Sequence, residues 1–272
     1  MPGPVHRSLA DRVWRTGGAW AVDVLAWSLG WAWVREENPA LADARERAIA
    51  DLERMRREPV ALARPVIVLN GYHAWSGVVE SIRLRVAAVT SGNPHDFLAI
   101  SFMDCTSFQS HRARVVREAG SWAGGGDVDV IAHSMGGLIA RYCARTDHED
   151  GHALRANRII TLATPHRGAI LAKYLAPDSA ARDMRAGSPF LRSLDAAPTA
   201  SARLLPFAHL RDPVVGAKNA APPSELPYWC SGSRVLSHFA IAHNPVVVAA
   251  IARELRGEPP LFEWRVSAPP RN

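Results

Sequence analysis

The sequence predicts an α/β fold, a mostly parallel central sheet covered by helices on both faces, and three observations carry that prediction. After Arg64 short β-rich runs recur, at Val66 to Leu69, Phe97 to Phe102, Val128 to His133, Arg158 to Ala163 and Leu204 to Leu210. Stretches of about 20 residues separate them, long enough for helical crossovers between parallel strands. The runs are close to continuously apolar, the pattern of strands buried on both sides. In such sheets ligands bind at the carboxyl ends of the strands.

The segment before the sheet reads as helical. Residues 17–34 are almost uninterrupted apolar sequence with one charge, Asp23, and Trp20, Val24, Trp27, Trp31 and Val34 recur at helical spacing. Burying the tryptophans from Trp14 to Trp33 represents on the order of 20 kcal/mol as an upper bound, so something must cover them. Three covers are open: the sheet domain, a membrane interface, or a bilayer spanned by a stretch close to the roughly 20 residues required. A cleavable signal peptide does not fit, because Arg35-Glu36-Glu37 stands where small residues would be needed. The expected location is therefore cytoplasmic or membrane-associated. A second helix follows, with Asn38 as N-cap, Pro39 at its first position, a stripe of Leu41, Ala44, Ala48, Leu52 and Met55, and Pro59 closing it. The expected organisation is a helical hairpin over 1–60 and a sheet domain over 61–272.

Composition narrows the partners. A chain of 272 residues with 48% hydrophobic content can bury a core without staples. Its net charge of +6 invites a nucleic-acid reading, but the densest basic cluster, Arg54, Arg56 and Arg57, is flanked by Glu53 and Glu58 and reads as a solvated helix face. No nucleic-acid partner is expected. Cys105, Cys143 and Cys230 are too widely spaced for a zinc site and odd in number, so buried apolar roles are expected. No metal constellation is seen, and Gly124-Gly125-Gly126 precedes a strand rather than a helix, which makes it a turn and not a phosphate cradle. No cofactor is expected.

The chemistry is concentrated at the end of the third run. Ala132-His133-Ser134-Met135-Gly136 lies between a buried strand and a predicted helix over Gly137 to Arg145. A sharp strand-to-helix turn that exposes a serine needs small residues two before and two after it, here Ala132 and Gly136. This resembles the nucleophile elbow of the α/β-hydrolases, in the alanine form found in a branch of small bacterial lipases. Pro65 to His73 resembles that family's first core strand and its His-Gly-aromatic ending, with Asn70 in place of the usual histidine. Leu162-Ala163-Thr164-Pro165-His166-Arg167-Gly168 looks like the Thr-Pro-His-x-Gly loop of lipase-like hydrolases, and the whole is also similar to lipid hydrolases of the GPI inositol-deacylase type. The resemblance covers about residues 64–255.

It implies an α/β-hydrolase fold and a serine hydrolase acting on carboxylic esters, small or lipidic, as a lipase or esterase. Ser134 would be the nucleophile, with the Met135 and Tyr72 backbone amides as oxyanion donors. The family's order of serine, acid, histidine leaves His238 or His243 as the base; Val235 to Phe239 resembles the catalytic histidine loop, whereas His243 abuts the helix start Asn244-Pro245. Asp212, in a loop resembling Asp-x-x-Val, is the expected acid, with Glu225 a distant alternative and Asp178, Asp183 and Asp195 in the preceding insert. His73, His133 and His166 are candidates to line the substrate site. The insert, about 169–203, carries Ile170, Leu171, Tyr174, Leu175, Met184, Phe190, Leu191 and Leu194 among charges, which suits either an apolar lid over an acyl chain or core packing. Thioesterase or acyltransferase chemistry on the same residues stays open, as does a silent membrane-associated scaffold.

Overall fold

The computed structural model describes residues 36–74, 76–103, 107–197, 202–232, 237–264 and 268–269. The expected helix over 17–34 and Cys105 lie outside them.

Six strands form one sheet: β1 (Val66–Leu69), β2 (Phe97–Ile100), β3 (Val128–His133), β4 (Ala156–Leu162), β5 (Arg203–His209) and β6 (Tyr228–Cys230). The order is β2-β1-β3-β4-β5-β6 and every pairing is parallel. Among the described residues eight α-helices accompany them: α1 (Ala44–Arg57), α2 (Ser76–Ala88), α3 (Phe108–Ala123), α4 (Met135–Cys143), α5 (Ser179–Asp183), α6 (Pro189–Ala196), α7 (Ser237–Ala240) and α8 (Pro245–Arg256). Side-chain alternation divides the core in two. Ile67, Leu69, Val130 and Ala132 face the layer of α3 and α4, whereas Val66, Val68 and Ile131 face α1, α2 and α8. Burial on both sides is why these strands read as unbroken apolar runs.

The expected second helix splits. Asn38 caps a short turn at Pro39–Leu41, accepting from Ala40 N–H at 3.1 Å, and the α-helix proper starts at Ala44. Asn38 has a second use: its amide donates to Trp229 O at 2.7 Å and ties the segment to β6. Ala44, Ala48 and Met55 are buried in one cluster with Val247 and Ile251 of α8, and Asp51 accepts from Arg253 Nε at 2.6 Å. Residues from Glu36 onward form one compact unit, which contains both α1 and the sheet. Among the described residues no helix is long and apolar enough to cross a membrane.

β6 is absent from the sequence reading because three residues carry no readable period. The insert is built of short helices, as its charge-interleaved pattern suggested: Met184, Leu191 and Leu194 are buried, whereas Ile170, Leu171, Tyr174 and Leu175 are exposed. Cys143 and Cys230 are free and buried, and burial pushes the Cys143 thiol up to about 12.

Sheet register fixes where function can sit. Leu69 pairs with Ala132, His133 with Leu162 and Leu162 with Phe207, so the carboxyl ends of β1, β3, β4 and β5 are level. The chain runs outward from β1 to β2 and then returns across β1 to β3. The crevice between β1 and β3 is therefore the switch point of the sheet, where open α/β sheets bind ligands.

Candidate active site

Ser134 ends β3 at that switch point, with φ 55° and ψ −128°. A residue carrying a Cβ occupies such a conformation only when neighbours impose it, at a cost of about 1–3 kcal/mol. The imposing contacts are all backbone-directed: Ser134 N–H donates to Leu162 O at 2.8 Å, and Ser134 O accepts from Gly137 N–H at 3.1 Å and Thr164 Oγ1 at 2.8 Å. The helix α4 starts one residue later, two residues earlier than expected from the sequence.

Two glycines allow this turn by close approach. A Cβ on Gly136 would stand 2.5 Å from Asn70 O, and one on Gly137 would stand 2.1 Å from Thr164 Oγ1. The first requirement was readable in the local motif. The second was not, because it depends on the Thr-Pro-His loop arriving from β4.

His238 is buried and placed between two partners. Its Nε2 lies 3.0 Å from Ser134 Oγ and its Nδ1 lies 2.9 Å from Asp212 Oδ2. Asp212 follows β5 past Arg211, which turns at φ 60°, and its Oδ1 accepts from Val214 N–H at 2.8 Å and Val215 N–H at 3.0 Å. Burial would raise its pKa, but His238 and those two amides outweigh it and hold the carboxyl below the usual carboxylate value. His243 stands apart, its Nδ1 at 2.7 Å from Arg85 Nη2.

The other candidates are distributed differently from expectation. Gly71 is pressed against Ser134, where a Cβ would meet Ser134 Cβ at 2.9 Å, Ser134 Oγ at 3.3 Å and His133 Nδ1 at 3.5 Å. This approach brings the loop of Tyr72 beside the serine. Met135 is the first residue of α4, so its N–H has no intrahelical acceptor. Gly71→Ala is expected to lower kcat for an ester substrate by about 100-fold through displacement of this loop, as steady-state kinetics would detect; an unchanged kcat would mean that the loop accommodates a methyl group without shifting.

His133 and His166 are both buried and bonded to protein groups. His133 is 2% exposed and its Nε2 donates to His238 O at 2.8 Å, so it holds the His238 segment from behind. Burial, and next the neighbouring His238, lower its pKa to about 3. His166 is fully buried; Arg141 Nη1 donates to its Nδ1 at 3.2 Å, leaving Nε2–H to donate to Thr161 Oγ1 at 3.0 Å. Burial, followed by the charges of Arg141 and Arg167, keeps it neutral. His73 is the exposed one of the three, on the loop after β1.

Sequence reasoning missed His209 because it precedes the acid in the chain. It is fully buried, accepts from Asn244 Nδ2 at 3.0 Å on Nε2, and donates from Nδ1 to Ser237 O at 2.9 Å. The carbonyls of Ser237 and His238 are thus each held by a buried histidine from a different strand end. Residues 233–236, including Val235 and Leu236 of the motif, lie outside the described residues.

Comparison with known proteins agrees with this architecture. Residues 119–175 match the family model of the PGAP1-like alpha/beta domain, a stretch that contains the elbow and the Thr-Pro-His loop. No curated protein matches the sequence. Among solved structures, the Bacillus licheniformis lipase BlEst2 superposes with a TM-score of 0.57 at 20% identity, covering 73% of this chain and 94% of that one. Aspergillus fumigatus lipase B gives 0.54 at 17% identity, covering 72% of this chain and 53% of that one. Legionella pneumophila phospholipase PlaB gives 0.51 at 14% identity, covering 71% and 60% respectively. The chain thus spans little more than half the length of the latter two. At these identities the likeness is one of fold.

Proposed function

We propose, from the α/β-hydrolase fold that this chain adopts, that it is a serine hydrolase cleaving carboxylic esters through an acyl-enzyme. The observation that carries the reading is the continuous line from Ser134 Oγ through the His238 ring to Asp212, at 3.0 and 2.9 Å, set at the switch point of the sheet.

In this reading His238 Nε2 takes the Ser134 proton as Oγ bonds to the acyl carbon. The carbonyl oxygen becomes an oxyanion beside the Met135 and Tyr72 amides, and developing charge in a buried site is where preset donors contribute most. Collapse breaks the ester C–O bond, and His238 passes its proton to the leaving alcohol. Water then repeats the sequence against the acyl-enzyme and restores Ser134. Asp212 remains ionised, fixing the imidazole orientation and stabilising its cationic form.

An apolar acyl substrate is favoured by a specific observation. Ile170, Leu171, Tyr174 and Leu175 of the insert and Phe239 of α7, beside His238, are exposed large apolar side chains on segments that follow strand carboxyl ends. Exposed apolar side chains on segments that follow strand carboxyl ends suit an apolar ligand that covers them. The lid role of residues 169–203 and a membrane-lipid substrate belong to the same reading. Thioesterase and acyltransferase chemistry would use these residues equally, with sulfur as leaving atom or an alcohol in place of water.

A p-nitrophenyl ester series from acetate to palmitate tests it. Turnover is expected to rise from acetate toward medium or long chains. A maximum at acetate would remove the apolar-acyl assignment, and absence of any turnover together with no labelling by a fluorophosphonate probe would remove the hydrolase.

A further inference from the structure

Asp178 lies in the insert, 106 positions beyond Tyr72, and its two carboxylate oxygens do different things. Oδ1 accepts from Ala181 N–H at 2.8 Å and so caps α5. Oδ2 accepts from the Tyr72 hydroxyl at 2.7 Å and faces His73 Nε2 at 3.3 Å. His73 itself sits at φ 44°, a region unfavourable to a residue with a Cβ, and its Nδ1 lies 3.2 Å from Met103 O. The Tyr72 and His73 rings meet edge to face with centroids 4.3 Å apart. Two consecutive side chains of the loop after β1 therefore converge on one oxygen of the insert. On the other side of Tyr72, Gly71 is already packed against Ser134. The Tyr72 backbone is held between these constraints, one from the nucleophile elbow and one from the insert.

We propose that Asp178 is the positioning residue of the oxyanion loop: by holding Tyr72 and His73 it sets the Tyr72 amide against Ser134, so that seating of the insert completes the oxyanion site. The inference rests on the reading of Ser134 as nucleophile and of the Tyr72 amide as oxyanion donor. The loop's own bonds, Ala74 N–H to Gly71 O at 3.3 Å and Asn70 Nδ2 to Ala74 O at 2.8 Å, close its turn, whereas Asp178 is what grips the Tyr72 side chain. Tyr72 is suited to the role as a permanent donor, because burial and then the Asp178 carboxylate push its phenol up to about 12. The Asp178 carboxyl is suited as a permanent acceptor: burial raises it, but the Ala181 amide, Tyr72 and His73 together bring it below its ordinary value.

The alternative role for Asp178 is helix capping alone, and one substitution separates the two. Serine is an equally good N-cap but too short to reach the Tyr72 hydroxyl. Asp178→Ser is expected to keep the melting temperature, keep KM for p-nitrophenyl butyrate within twofold and lower kcat by roughly 10- to 100-fold, the range for a displaced oxyanion donor. Tyr72→Phe, which keeps the backbone amide and removes only the hydroxyl, is expected to lose kcat in the same direction. The double variant should be no slower than Asp178→Ser alone, since the Tyr72 contact that Tyr72→Phe removes is already lost there. Unchanged kcat in Asp178→Ser, or losses that multiply in the double variant, would overturn the proposal while wild-type labelling by a fluorophosphonate leaves the hydrolase reading standing. If wild-type protein is neither labelled nor active, both fall together.

Discussion

Ser134→Ala is expected to lower ester turnover by about 10⁴- to 10⁶-fold, the range seen when a serine nucleophile is removed from a working triad. The size follows from what remains. Asp212 and His238 still form their 2.9 Å pair, but the imidazole has no hydroxyl to deprotonate, and catalysis falls back on the oxyanion donors acting on water. Stability should change little, because the contacts imposing the elbow, from Leu162 O, Gly137 N–H and Thr164 Oγ1, all reach the backbone of residue 134 and survive the substitution. The measurement is kcat with a chromogenic ester beside fluorophosphonate labelling and a thermal melt of the same preparation. Residual turnover within tenfold of wild type, in a folded variant, would show that the hydrolysis arises elsewhere.

Mild acid is expected to unfold the protein readily, with roughly 5 kcal/mol of stability lost between pH 7.5 and 5.5. Four histidines cause this. Burial, as the leading influence on each, lowers His111 to about 4, His133 to about 3 and His209 to about 4, and takes His166 well below its ordinary value. Because the folded pKa values are depressed, the unfolded chain binds more protons below about 6.5, and stability falls with pH through the window from 6.5 toward 4 or 3. Each group contributes somewhat over ~1 kcal/mol of loss by pH 5.5, and the four together make up the roughly 5 kcal/mol. Glu36 and Asp183, raised by burial, pull the other way, but they are two groups against four. Domains of this kind hold only about 5–15 kcal/mol, so the sum matters. Urea midpoints at the two pH values measure it directly. Equal midpoints would mean that the buried histidines take up protons without opening the fold. His209→Asn should shrink the difference by about one histidine's share, at the expense of its contact with Ser237 O.

The parts of the fold legible in the sequence are those with a local cause. β1 and β3 were readable to the residue because a strand covered by helices on both faces is apolar at nearly every position, Asp129 and His133 of β3 being buried exceptions. β6 was invisible: its three residues gain their strand identity from pairing Phe207, Ala208 and His209 with Tyr228, Trp229 and Cys230. The start of α1 was misplaced by the Asn38-Pro39 cap signal, which is real but serves a single turn tied to Trp229. At the site, the elbow was legible because its steric demands fall within five residues. The roles of His133, His209 and Asp178 were not, since each acts on a residue 28 to 106 positions away.

By itself the sequence determined the class of fold and the position of the strained serine, since two-sided burial and a crowded turn restrict residue types in the immediate neighbourhood. Only the tertiary structure decided which histidine meets Ser134, which histidines stay neutral behind it, and that the insert grips the loop beside it. Those outcomes depend on strand order and register, which bring the ends of β1, β3, β4 and β5 level and let side chains from distant segments share one buried site. Pairing at that range leaves no periodic trace in the chain, because a buried polar group is satisfied by any partner of the right geometry, wherever it lies in sequence.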